Sequence, residues 1–168
     1  TNVFAHVKDL DSFMTGVKRI LAEDGVFITE SHYLLNLLKE MQYDSIYHEH
    51  LRYYSLKSLA NLFYTFELEL FDAEIISTHG GSIRTYVSKK GAYKVSDNVG
   101  KILENEEDKG LFNKQTYLDF GKGILENKIE LQDTLMHLKK SGKKIAGIGA
   151  PAKGNTLLNY CNISSDIL

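Results

Sequence analysis

Tryptophan is absent from this sequence, and proline and cysteine each occur once in 168 residues. The single cysteine, Cys161, excludes an internal disulfide and is typical of a protein from a reducing cytoplasm. Apolar runs long enough to span a bilayer are also absent. A net charge of -2 lacks the basic excess that a nucleic-acid partner requires. We therefore expect a cytoplasmic protein without a membrane or nucleic-acid partner.

The composition, 43% hydrophobic and 25% charged, is that of a globular protein. The length allows one domain, or one domain and part of another. Thr1 opens directly into an apolar segment, without an initiator methionine or a signal-peptide charge pattern. The last residues resemble the beginning of another apolar strand. We expect the chain to be a fragment of a longer polypeptide.

The first half alternates between helical and strand patterns. Apolar residues at helical spacing predict helices over residues 11–22, 33–41 and 56–66, and β-branched and aromatic runs predict strands over residues 25–30, 68–77 and 82–88. Residues 25–30 form a short apolar run, as in a strand covered on both faces. Gly80 and Gly81 predict a hairpin between the last two strands. This order of elements predicts an α/β fold.

The second half has a different character, and we predict a domain boundary near residue 91 that separates residues 1–91 from residues 92–168. Residues 95–141 are rich in Lys, Glu, Asn and Leu and predict helices, including a long one that Gly142 ends. The charge run at residues 104–108 is typical of a solvated helix face.

Side chains that can exchange protons occupy four consecutive positions, Tyr47-His48-Glu49-His50, in a polar and aromatic segment. Two imidazoles, a carboxylate and a phenol so close together indicate proton transfer on a bound small molecule. One alternative is a polar loop whose histidines satisfy nearby backbone groups. Another is a metal-dependent sugar enzyme that uses His48 and His50. Further ligands at a recognisable spacing are missing, and so we predict no metal.

A second stretch whose residues could bind a ligand is the glycine-rich turn at residues 147–156. It follows a predicted buried strand at residues 144–149 and precedes a predicted helix at residues 156–160. Backbone amides in such a turn can face an anion, and the helix directs its positive end to the same place. With Lys153 and Asn155 at the mouth of the helix, the turn predicts phosphate or pyrophosphate binding.

Four motifs in this order resemble the S-adenosylmethionine-dependent C-methyltransferases of nucleotide-linked keto-deoxysugars. They are NVFAHV at residues 2–7, YHEH at residues 47–50 with YSL at residues 54–56, HGGSIR at residues 79–84 and GAPAKGNTLL at residues 149–158. The resemblance implies that the first half is the C-terminal half of a class I, Rossmann-like methyltransferase sheet that ends in a β-hairpin. The second half would be a helical stretch and the first part of a Rossmann-like α/β domain that helps to hold the substrate nucleotide.

The resemblance also implies a reaction. A base removes the proton next to the ketone of the sugar, and the enolate carbon attacks the methyl group of the sulfonium. By this resemblance His50 is the base, and Glu49 orients it. Tyr47 and His6 hydrogen-bond the keto oxygen or the sugar hydroxyls and stabilise the negative charge that develops on the enolate.

The same resemblance assigns the binding residues. Asn2 and His6 would border S-adenosylmethionine, whose main binding loop would lie upstream of this sequence. His79 would border the sugar, and Lys153 and Asn155 would meet the diphosphate of the nucleotide-linked substrate. Because the cofactor loop is missing here, a non-catalytic module that binds nucleotide-sugar diphosphates is the alternative function.

Overall fold

A computed structural model of the chain describes residues 3–149 and 151–168 as a mixed α/β structure. Its strands are β1 (Phe27–His32), β2 (Leu68–Ile76) and β3 (Ser82–Lys89). Asn2, which the resemblance assigns to the cofactor pocket, lies outside the described residues.

The three strands form one antiparallel sheet in the order β1-β3-β2. The hairpin predicted between β2 and β3 is confirmed. β1 is an edge strand of this sheet, and one face of an antiparallel sheet can be exposed to solvent. Ile28 on this strand is 52% exposed, so the expectation of a strand covered on both faces is wrong. The Rossmann-like arrangement and the division near residue 91 stay predictions.

The helices of the described chain are α1 (Leu10–Ile20), α2 (Leu34–Lys39), α3 (Leu56–Thr65), α4 (Asp97–Asp108), α5 (Lys114–Lys140) and α6 (Ala152–Tyr160), with short 3-10 helices at Phe4–His6, Tyr43–Ser45 and Thr78–Gly80. Local signals explain two of the starts. The carboxylate of Asp9 caps α1 by accepting a hydrogen bond from the amide of Ser12 at 3.0 Å. Ser55 caps α3, and its hydroxyl accepts from the amide of Ser58 at 3.0 Å. Within the described residues, none of these helices is long and apolar enough to cross a membrane.

Aromatic side chains form the part of the core that supports the site. Phe4 is 4% exposed, and its ring stacks on Phe63 of α3 with 6.0 Å between the ring centroids. Nearby, the amide of Leu51 donates a hydrogen bond to the carbonyl of Ala5 at 3.1 Å. The chain ahead of α1 is therefore fixed against the loop that precedes α3, which brings His6 beside this loop.

Residues 144–149 do not form the strand predicted for them. A strand needs a neighbouring strand to satisfy its backbone groups, and in the described sheet neither edge pairs with this segment. Ile148 is accordingly fully exposed. α6 begins at Ala152, earlier than predicted, so Lys153 and Asn155 belong to its first turns.

The acidic run in α4 is only partly solvated, contrary to its sequence pattern. Glu106 is fully buried. Its carboxylate accepts hydrogen bonds from the backbone amides of Leu56, at 2.5 Å, and Lys57, at 3.2 Å, which are the first two residues of α3. The expectation of a solvated face is therefore wrong at Glu106, because this side chain caps a neighbouring helix.

A charged network joins the three strands of the sheet. Glu30 on β1 is 5% exposed and accepts a hydrogen bond from Nη2 of Arg84 on β3 at 3.0 Å. Arg84 also donates through Nη1 to Glu74 on β2 at 3.0 Å, and Thr78 donates to Glu30 at 3.1 Å. Burial opposes ionisation of Glu30, but the hydrogen bonds from Arg84 and Thr78 outweigh it and hold the pKa of this carboxyl below its usual range.

The Glu30→Gln variant should lower the free energy of unfolding at neutral pH by about 1.5–3 kcal/mol, because the buried acceptor loses its charge. Since the pKa of the folded state lies below the unfolded value of about 4.3, this contribution is complete well above that pH. It is lost as the pH falls through the folded pKa. Urea unfolding of both proteins from neutral pH down to about pH 3 measures the effect.

Glu23→Gln is the matched control, because Glu23 pairs with Lys89 through a side chain that is 90% exposed. This variant should unfold almost like the wild type. A stability gap between wild type and Glu30→Gln that stays constant down to about pH 3 would contradict the proposed ionisation.

Candidate active site

Several residues from distant parts of the chain meet around one cavity of about 230 Å³. The lining consists of Ala5, His6, Ser31, His32, Tyr47, His50, His79 and Lys153. Five residues singled out from the sequence are among them, namely His6, Tyr47, His50, His79 and Lys153. Residues from all four motifs, which are separate in sequence, therefore line one cavity.

Much of the lining comes from the ends of elements, whereas Tyr47 and His50 belong to the loop that precedes α3. His6 ends a 3-10 helix, Ser31 and His32 end β1, and Lys153 lies in the first turn of α6. His79 lies in the β2–β3 turn. Ends of strands and helices carry few backbone constraints of their own, and they commonly converge on ligand sites.

The β2–β3 turn depends on glycine at position 81. Its backbone has a φ of 107°, a region that residues with a side chain rarely adopt. A Cβ atom there would also lie 2.0 Å from Nδ2 of Asn36. The close approach of this turn to α2 keeps His79 at the edge of the cavity.

The orientation of His50 is fixed by the backbone. Nδ1 of its imidazole donates a hydrogen bond to the carbonyl of Ser45 at 2.8 Å, since a carbonyl can only accept. In the neutral ring, Nε2 is therefore unprotonated and able to take a proton. The hydroxyl of Tyr47 lies 3.3 Å from this Nε2 atom.

Tyr47 stays protonated beside this imidazole. Burial raises the pKa of its phenol, and the negative charge of Glu49 adds to the effect. The carboxylate of Glu49 is exposed, and no hydrogen bond joins it to His50 within the described part of the chain. Ser45 thus makes the orienting contact that the resemblance assigns to Glu49, while a catalytic role for Glu49 stays a prediction.

His6 lies against the same loop. Its Nδ1 atom donates to the backbone carbonyl of Glu49 at 2.7 Å, and its ring centroid lies 5.1 Å from that of His50. In the neutral ring this leaves Nε2 of His6 as an acceptor at the cavity. Two imidazoles with fixed tautomers therefore stand side by side in the site.

The sequence reading missed Ser31, His32 and Gln42. Nε2 of His32 lies 2.6 Å from Oε1 of Gln42, and Nε2 of Gln42 donates to the carbonyl of Gly80 at 2.7 Å. None of the three belongs to a recognised motif. One signal was present, because Ser31 and His32 directly follow a predicted strand, and polar residues at the carboxyl end of a strand often line a site.

The structure separates Asn155 from Lys153. Asn155 lines a different cavity of about 520 Å³, together with Gly149 and Pro151, and its Oδ1 accepts from Asn159 at 3.0 Å. The two residues predicted to meet a diphosphate together are therefore not brought together. Binding of a diphosphate by either residue stays a prediction.

The H-x-H pair does not converge on one point. His50 lines the cavity, whereas His48 is exposed and does not line it. Across the residues that the structure describes, no group of three His, Cys, Asp or Glu side chains could hold a metal ion.

The cavity suits part of a polar substrate better than a whole nucleoside cofactor. Its volume lies below the roughly 300–1,000 Å³ that are typical of sites for drug-sized ligands. Among the described lining residues there is no carboxylate that could bind ribose hydroxyls. His6 does line the cavity, but these residues do not by themselves form a site for S-adenosylmethionine.

Comparison with known proteins defines the class. Residues 77–168 match the family described as the C-methyltransferase C-terminal domain, and residues 1–72 match the family described as a methyltransferase domain. The first match covers more than half of the chain, and the chain belongs to this C-methyltransferase C-terminal domain family. The resemblance to C-methyltransferases is thereby confirmed.

A particular relative is the C-methyltransferase NovU of Streptomyces niveus, which is 36% identical over 161 residues. The alignment covers 95% of this chain and 38% of that protein. The chain therefore spans little more than a third of the length of this relative.

Proposed function

We propose that the full-length protein uses S-adenosylmethionine to methylate a carbon next to the keto group of a nucleotide-linked deoxysugar. The observation that carries this proposal is the pair formed by His50 and Tyr47, in which an unprotonated Nε2 lies 3.3 Å from a protonated phenol. Membership of a C-methyltransferase family supplies the type of reaction. S-adenosylmethionine supplies the methyl group.

The pair matches the geometry of a carbon acid. In a ketone, the acidic carbon and the carbonyl oxygen are separated by two bonds of about 1.5 and 1.2 Å. A base and a hydrogen-bond donor 3.3 Å apart can therefore face these two atoms at the same time. His50 takes the proton from carbon through Nε2, and Tyr47 donates a hydrogen bond to the oxygen as negative charge develops on it.

Other side chains of the cavity suit the rest of the substrate. Lys153 provides a positive charge at the start of α6, where the helix dipole also favours an anion. The diphosphate of a nucleotide sugar would meet this charge, while His79 would border the sugar. Tyr47 would donate to the keto oxygen, and Nε2 of His6, an acceptor in the neutral ring, would accept a hydrogen bond from a sugar hydroxyl.

The test is a reaction of the purified full-length protein with S-adenosylmethionine and thymidine diphosphate-linked 4-keto-6-deoxyglucose. We expect a product heavier by one methylene group, with the new carbon–carbon bond located by NMR next to the ketone. A product whose new methyl group is attached to oxygen or nitrogen would contradict C-methylation. Tight binding of the nucleotide sugar without any methyl transfer would favour the alternative, a non-catalytic nucleotide-sugar binding module.

A further inference from the structure

Ser31 has no role in the proton transfer described above, and its environment indicates a ligand. The residue is 1% exposed and lines the cavity. Its hydroxyl has no hydrogen-bond partner in the part of the chain that the structure describes. Buried hydroxyls are nearly always paired, because an unpaired one loses its hydrogen bonds to water without replacement. A group from a bound molecule would supply the missing partner.

His32, the next residue, lines the same cavity, and its hydrogen bonds define which ring nitrogen is an acceptor. Gln42 donates its amide N–H to the carbonyl of Gly80, which turns Oε1 of Gln42 towards His32. Nε2 of His32 must then donate, and Nδ1 carries the free lone pair in the neutral ring. No hydrogen bond to Nδ1 is made by the described residues.

The surroundings of His32 favour this neutral ring. Burial lowers the pKa of the imidazole; the hydrogen bond to Gln42 opposes the shift, and the positive charge of Lys153 adds to it. His50 and His79, the other imidazoles that act on this ring, push the pKa in the same direction. At neutral pH, His32 therefore acts as an acceptor through Nδ1.

We propose that Ser31 and His32 form a subsite that binds one hydroxyl group of the sugar ring of the substrate, an inference that rests on the proposed function. A hydroxyl can donate to Nδ1 of His32 and accept from the hydroxyl of Ser31. A protonated amino group cannot accept, and it would meet the positive charge of Lys153 in the same cavity. The subsite therefore selects sugars that carry a hydroxyl at the contacted carbon over their deoxy and amino counterparts.

Calorimetric titration of the full-length protein tests this selection. The probes are thymidine diphosphate-linked 4-keto-6-deoxyglucose and its 2-deoxy and 3-deoxy counterparts. For the wild type, one of the two deoxy probes should bind at least about tenfold more weakly than the sugar with both hydroxyls. The reason is that the missing hydroxyl leaves Ser31 and His32 unpaired. Equal affinity for all three probes would overturn the subsite.

Variants locate the selection on the two residues. Ser31→Ala and His32→Gln should abolish the tenfold preference, since the amide of Gln occupies the position of Nε2 and leaves no acceptor at Nδ1. His32→Asn places an amide near Nδ1 and should keep part of the preference. His48→Ala, which changes an exposed histidine outside the cavity, should keep all of it.

The possible results distinguish a failure of the Ser31–His32 subsite from a failure of the proposed methyl-transfer function. A preference that survives in both Ser31→Ala and His32→Gln would overturn the subsite alone, with methyl transfer unaffected. Failure of the wild type to bind any of the three ketosugars would overturn the proposed function and the subsite together.

Discussion

Replacement of His50 by asparagine in the full-length protein should lower the rate of methyl transfer by about 10²–10⁴-fold, as expected for loss of a general base. Asparagine is the informative choice because its side-chain amide can keep the hydrogen bond to the carbonyl of Ser45. What it removes is Nε2, the atom that would take the proton. The fold should survive, since the ring of His50 is only partly buried.

Exchange of the substrate proton with solvent isolates the step assigned to this imidazole. In heavy water without S-adenosylmethionine, the wild type should exchange the proton next to the ketone, and NMR should show the signal disappear. His50→Asn should slow this exchange to the rate without protein. The thermal unfolding midpoint of the variant, measured alongside, excludes loss of fold as the cause.

His48→Asn is the matched control for this experiment. His48 belongs to the same motif, but its side chain is exposed and does not line the cavity. Its variant should keep the rates of exchange and of methyl transfer near those of the wild type. If His50→Asn retained more than about a tenth of the rate, the proton would have to leave through another group, and His6 would be the next to test.

Elements with strong local signals could be predicted from the sequence. The helical spacing of residues 56–66 and the glycines between β2 and β3 are local signals, and α3 and the β2–β3 hairpin lie where these signals predict them. The predicted strand at residues 144–149 was wrong for the opposite reason. The apolar residues of this segment favour an extended conformation, but a strand forms only where a partner strand is adjacent.

In the candidate site, too, local features could be predicted from the sequence and long-range contacts could not. Tyr47 and His50 could be identified as candidate site residues because they are close in sequence and form an unusual combination of side chains. The contact of His50 with Ser45 and the pair formed by His32 and Gln42 depend on how the loop before α3 packs against β1 and the β2–β3 turn. Spacing in the sequence does not encode such contacts, so the orienting group for His50 could not be identified from the motif.

Glu106 is the clearest case of a residue whose role depends on packing. The acidic run around it predicts a solvated helix face, yet its side chain is fully buried against the start of α3. The first amides of a helix have no partner within the helix. In α3, Glu106 satisfies the amides of Leu56 and Lys57, and Ser55 satisfies that of Ser58. A negative charge at this end is also favoured by the helix dipole.

Glu106→Ala should therefore lower the free energy of unfolding by about 3–6 kcal/mol, from two hydrogen bonds to a charged group at about 1.5–3 kcal/mol each. That is a large fraction of the roughly 5–15 kcal/mol that stabilises a typical protein. In a domain of this size, the midpoint of thermal unfolding should fall by about 6–24 °C. Glu106→Gln should also destabilise, because one end of its amide is a donor that would face a backbone N–H.

Glu107→Ala provides the comparison, since Glu107 is the next residue and pairs with Lys57 through a side chain that is 60% exposed. Removal of this surface pair should cost less than about 1 kcal/mol. Thermal and urea unfolding of the three variants measure the difference between a buried cap and an exposed ion pair. Equal stability of Glu106→Ala and Glu107→Ala would mean that water can replace the carboxylate at the start of α3. In that case the carboxylate of Glu106 would not be the group that stabilises the start of α3.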